Sequence, residues 1–146
     1  MKTMAYKYLK FLMVAVALAN LSSCDLPEDP FVDDDNIGGY YYEKSKALCN
    51  YIWVDEFTDV DGNYCYQELT FFLDRHGEDH FCVEYPDGTF TEDIYDFVWR
   101  WEDRDQYSLR MYYGPGDISY MDDVWVSGRL LKGYLDDNYV DFKGEK

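Results

Sequence analysis

His76 and His80 flank Gly77-Glu78-Asp79, with Asp74 just ahead, and two imidazoles among carboxylates are zinc-ligand chemistry. Gly77 marks the segment as a turn, so the four-residue spacing does not bring both rings to one helical face. Exposed turn histidines are the expectation. Cys49, Cys65 and Cys82 are an odd set of thiols once Cys24 is set apart. Cys65 is expected to point into the domain and Cys82 out of it, which leaves Cys49–Cys65 as the disulfide to expect. An extended chain would hold that pair about 26 Å apart, so the bond requires the chain to fold back before Trp53, for instance as a helix. Cys82 is expected to be free, with no histidine beside it. The adjacent acids Asp55-Glu56 and Asp122-Asp123 point to opposite faces of a strand and form no acid/base couple. A calcium loop beginning at Asp33 fails at Ile37 and Lys44. Neither a phosphate loop nor a nucleophile elbow is present. The reading is non-enzymatic, with no catalytic residues, no metal and no cofactor.

The remaining chemistry is aromatic: 20% of the chain, including 16 Tyr and 4 Trp. Tyr95, Phe97, Trp99 and Trp101 alternate along one run. With Trp53, Leu109, Met111 and Tyr113 they would line an apolar pocket for a small apolar or amphipathic ligand, if the interior is incompletely filled. As the alternative, Tyr66, Phe72, Tyr112 and Trp125 lean outward and suit a glycan- or protein-binding patch beside carboxylates.

The N-terminus says where such a domain works. Lys2, Lys7 and Lys10 precede an apolar run from Phe11 to Ala19. A spanning helix takes about 20 apolar residues, so this run reads as a signal peptide over 1–23. It ends in Leu21-Ser22-Ser23-Cys24, which resembles the lipobox of bacterial lipoproteins. The resemblance implies that Cys24 is lipidated and becomes the first mature residue, anchored in a membrane of the cell envelope. Residues 24–40, with Pro27, Pro30, Asp33-Asp34-Asp35 and Gly38-Gly39, read as a disordered acidic tether. Acids following the lipidated cysteine resemble signals that send lipoproteins to the outer membrane surface; the alternative is a solubilising spacer. Loss of three lysines from 13 cations leaves 10 against 30 acids, a net charge of −20. That field excludes nucleic acid, whose binding depends on neutralising phosphates.

Residues 41–146 form one domain. After an ambiguous, helix-compatible stretch near 41–50, turn signals recur every eight to twelve residues, the mark of an all-β meander. Strands are expected near 51–58, 64–73, 80–86, 93–102, 107–113, 117–127, 129–135 and 139–143. A three-residue loop with Gly62 left-handed turns Tyr51, Trp53 and Phe57 inward. A turn at Asp103–Asp105 sets Trp99 against Leu109, Phe97 against Met111 and Tyr95 against Tyr113. Phe71 is expected opposite Phe81, and Leu69 opposite Val83. Each run has one apolar face, and closing the meander removes its exposed edges. The fold class is all-β, an up-and-down antiparallel barrel of about eight strands, with a two-sheet sandwich as alternative.

Lipobox, early-strand Trp53 and strand count together resemble the lipocalin-like lipoproteins of Gram-negative bacteria. The glycine that precedes the lipocalin tryptophan is missing, since Tyr51-Ile52 stand there. The resemblance implies a binding module rather than a catalyst.

Overall fold

The computed structural model describes residues 39–146, with side chains from Glu43 onward. The stretch read as a signal peptide, Cys24 and most of the stretch read as a tether lie outside the described residues. The first element, helix α1 (Gly39–Leu48), starts two residues inside the stretch read as tether. Eight strands follow: β1 (Ile52–Thr58), β2 (Tyr64–Phe71), β3 (His76–Glu84), β4 (Phe90–Trp101), β5 (Leu109–Gly114), β6 (Asp117–Ser127), β7 (Leu130–Leu135) and β8 (Asn138–Glu145). Each pairs antiparallel with the next, and β1 pairs with β8 through Ile52↔Glu145, Trp53↔Gly144 and Val54↔Lys143. The sheet is a closed up-and-down barrel, not a sandwich.

Turn chemistry explains the connections. Gly62 has φ +84° in a three-residue loop closed by Asp59 N–H donating to Asn63 O at 3.0 Å. Trp53 accordingly faces in, opposite Leu69, as the sequence predicts. Asp136 and Asp137 both take positive φ in the two-residue turn that β7 and β8 require.

Two registers differ from expectation. Between β2 and β3 the partners are Leu69↔Asp79 and Phe71↔Gly77. The turn uses Leu73-Asp74-Arg75, with Arg75 at φ +74°, so β3 begins at His76 and the pairing slides by four. Between β4 and β5, Trp99 meets Met111 and Trp101 meets Leu109, a slide of two. The loop there spans five residues, closed by Glu102 N–H donating to Ser108 O at 2.9 Å, with Gln106 at positive φ. Both slides are even, so the faces stay as read.

A bulge in β6 serves the core. Asp123 takes φ +51°, and the ladder to β7 shifts between Asp122 and Trp125. Met121 and Val124 therefore both point inward, while Asp122 and Asp123 are both exposed rather than on opposite faces. Gly133 lies beneath the bulge, where an added Cβ would come within 2.7 Å of Asp122 O.

Helix α1 closes one end of the barrel. Leu48 is fully buried, and its carbonyl accepts a 2.7 Å bond from Trp53 Nε1. Trp101 Nε1 donates to Ser45 Oγ at 2.9 Å. Lys44 Nζ donates to the carbonyls of Gln106 and Val124 and lies over the rings of Trp101 and Tyr107.

Candidate functional site

The residues expected to line an interior ligand pocket are mostly core. Trp53, Phe97, Trp99, Leu109 and Met111 are each 0–2% exposed and pack into one hydrophobic cluster. Phe71 meets Phe97 and Trp99 edge-on at centroid distances of 5.4 and 5.8 Å, an arrangement favoured by aromatic quadrupoles. Trp101 packs against the same cluster beneath α1. The space available to a ligand at this end is taken by side chains and by the helix.

Tyr95 and Tyr113 sit farther along, beside a polar layer that sequence reasoning missed. Asp79 is 2% exposed, and its carboxyl accepts bonds of 2.9 Å from both Gln67 Nε2 and the Tyr113 hydroxyl. Burial first, and then the charge and hydrogen bond of Asp79, push the Tyr113 phenol well above its ordinary value. Asp79 enters the barrel because β3 starts at His76. A turn spanning 74–79 would have left it in water. At the other end Cys65, Phe81 and Val83 form a separate small core with Phe57.

The Cys49–Cys65 disulfide is not formed. The chain does fold back as a helix, but it carries Cys49 to the α1 end, against the larger core. Cys65 lies opposite Phe57, four residues beyond Trp53 and about 13 Å along the strand. Cys65 points in and Cys82 is partly exposed, as read.

The histidines correct a second expectation. His76 and His80 lie on strand β3, not in a turn. His80 and Cys82, two residues apart, share the outer face, and His80 Nε2 is 3.3 Å from Cys82 Sγ. Glu92 on β4 pairs with Cys82 and places Oε1 2.7 Å from His80 Nε2. Glu68 on β2 pairs with His80 and places Oε2 3.2 Å from Nδ1. Burial lowers the His80 pKa, but the bonds and charges of Glu68 and Glu92 outweigh it and raise the imidazole above its ordinary value. An imidazole beside a thiol is also how a cysteine nucleophile is activated. Here burial and the charges of Glu92, Glu68 and Asp93 raise the Cys82 thiol instead, the reverse of activation.

Exposed aromatics gather on the outer face of β6, β7 and β8. Tyr134 and Tyr139 are cross-strand partners with rings edge-on at 5.7 Å, and they are 44% and 58% exposed. Asp122 is the partner of Tyr134 on the other side. Two residues back along β7, Lys132 is flanked by Trp125, 50% exposed, and by Asp141, to which its Nζ is ion-paired at 3.1 Å. The β6 bulge is what turns Trp125 outward. Of the outward aromatics expected from sequence, Trp125 and Phe72 are exposed, while Tyr66 and Tyr112 are half-covered. Tyr134 and Tyr139 were missed, although each alternates with the inward-facing residues of its strand.

No family model matches this chain, and no curated protein or solved structure matches it either.

Proposed function

We propose that this protein is a lipid-anchored, non-enzymatic binding module of the bacterial envelope that works through its outside. In this reading Cys24 carries the acyl chains, residues after it act as the spacer, and the barrel presents its outer face at the outer membrane. The observation that carries the proposal is the pairing of a filled interior at Trp53, Trp99 and Met111 with an exposed face bearing Trp125, Tyr134 and Tyr139.

The face suits a neutral glycan. Aromatic rings offer apolar surface to the C–H side of a sugar ring, and the exposed Asp122 offers an acceptor to its hydroxyls. The mature charge of −20 disfavours polyanions. Asp122 is the cross-strand partner of Tyr134, and Lys132, ion-paired to Asp141, is that of Trp125.

The test is binding of the full-length protein, in detergent, to a panel of neutral polysaccharides. Trp125→Ala and Tyr134→Ala should each weaken binding about 30-fold, the roughly 2 kcal/mol of a strong contact residue. Binding that survives both changes but is lost on enlarging Met111 would return the site to the interior. The anchor is checked by mass: envelope-extracted protein should begin at an acylated Cys24, and Cys24→Ser should leave an unacylated chain.

A further inference from the structure

We propose that His80, Cys82 and Glu92 form a binding site for a zinc-class divalent cation on the outer face of β3 and β4, with Glu68 orienting the histidine. The three donor atoms Nε2, Sγ and carboxylate oxygen lie within 4.8 Å of one another. Tetrahedral bonds of about 2.0–2.3 Å place ligand atoms roughly 3.3–3.7 Å apart. The Nε2–Sγ separation of 3.3 Å already meets that spacing, and Glu92 Oε1, 2.7 Å from Nε2, need only withdraw slightly.

Strand geometry makes the set rigid. His80 and Cys82 alternate along β3, so both leave the same face. Glu92 is the cross-strand partner of Cys82, and Glu68 is the cross-strand partner of His80 on the opposite side. All four side chains therefore stand on neighbouring positions of three adjacent strands. No loop has to close to assemble them.

The second observation is the partner of the other ring nitrogen. A metal-bound histidine usually gives its free N–H to a carboxylate, which fixes the tautomer and the ring plane. Glu68 Oε2 lies 3.2 Å from Nδ1, so Nε2 is the nitrogen presented to Cys82 and Glu92. Glu68 is held in turn by the Tyr66 hydroxyl, whose ring sits edge-on to His80 at 6.5 Å.

The donor set selects the ion. A thiolate and an imidazole favour zinc over the hard cations, which take all-oxygen ligands. One thiolate and one carboxylate also balance the charge of a divalent ion, with the histidine neutral. Binding therefore releases one proton from the thiol and any proton on the imidazole. Three protein ligands leave a fourth position to water, the pattern of an exchangeable site rather than a sealed one. Cys82 also lines an open hollow of about 250 Å³ with Tyr64, Val83, Glu84, Gly88 and Phe90, which gives an outside donor room to approach.

The experiment titrates the full-length protein, stripped with chelator, with Co²⁺ and then Zn²⁺. One equivalent of Co²⁺ should produce a thiolate-to-cobalt charge-transfer band, and one equivalent of Zn²⁺ should bleach it. Cys82→Ser should abolish the band, while Cys49→Ser should leave it intact. His80→Ala and Glu92→Gln should each weaken Zn²⁺ at least about tenfold, and Glu68→Gln about 10–100-fold with the band retained. Far-UV circular dichroism of each variant establishes that the barrel is folded. A band that persists in Cys82→Ser, or Zn²⁺ affinity unchanged by His80→Ala, overturns the site. So does the lack of saturable Zn²⁺ binding in the unsubstituted protein, which would leave His80 as a hydrogen-bond partner of two carboxylates and the Cys82 thiol.

Discussion

The Tyr113 hydroxyl donates a 2.9 Å hydrogen bond to Asp79 Oδ2, tying β5 to β3 across the inside of the barrel. The phenol's pKa is raised by burial and by Asp79, so the folded state favours the protonated form. Its stabilising contribution is complete below the unfolded value of about 10 and is lost as pH rises through the folded value. Tyr113→Phe should cost about 1–3 kcal/mol at pH 8, since it removes a buried partner of Asp79. The gap between the two proteins in urea midpoint should then narrow above pH 10. A gap that stays constant from pH 8 to 11 would sink this account of the layer.

Gly77 makes room for Phe97. An added Cβ would come within 2.3 Å of the Phe97 ring and 2.7 Å of the Thr70 carbonyl. Gly77→Ala should destabilise the barrel by about 1–3 kcal/mol, the usual cost of overpacking a core. Pairing it with Phe97→Leu should recover part of that loss in a double-mutant cycle read by urea denaturation. Strictly additive costs would show that the ring and the glycine are not coupled.

Gly77 also shows how far the fold was legible from sequence. Strand number, strand faces and barrel closure follow from alternation, which repeats every two residues and survives any even slip. Register does not, because it depends on hairpin loops whose left-handed residues were not glycines. Arg75 turns the β2–β3 hairpin and Gln106 the β4–β5 loop, neither of which advertises a positive φ. Gly77, read as the turn, is instead an in-strand glycine beneath an aromatic ring. The same slip hid Asp79 in a supposed loop and kept His80 from Glu68, while a β4 expected to begin at 93 left out Glu92. His80 and Cys82 alternate on β3, so the right β2–β3 loop length would have set Glu68 beside them, and a β4 beginning at Phe90 would have added Glu92.

The thiols give a prediction of their own. Denatured, reductant-free protein should titrate three thiols besides Cys24, because no Cys49–Cys65 bond is formed. In the native state Cys65 is 0% exposed, and burial, the leading cause, pushes Cys49 up to about 11. Cys82 should therefore react first with a thiol reagent at pH 8, as mapped by peptide mass. A single titrating thiol after denaturation would mean that the two others had paired.

Lys44 is the residue on which the helix closure turns. Its ammonium donates to two barrel carbonyls, those of Gln106 and Val124, the second at 2.9 Å, and faces the rings of Trp101 and Tyr107 at 5.1 and 5.0 Å. Burial lowers its pKa, with Asp103 opposing that shift, so the charge is held by carbonyl dipoles and ring faces more than by a carboxylate. Bonds from a charged donor contribute about 1.5–3 kcal/mol, and Lys44→Ala should destabilise the protein by about that amount. Lys44→Met keeps most of the apolar stem and separates packing from charge. If the ammonium is the clasp, Met should lose nearly as much as Ala, and amides of α1 should exchange faster while those of β1 and β2 stay protected. Equal protection of α1 in the Met variant would assign the closure to Leu48 and Trp53 instead.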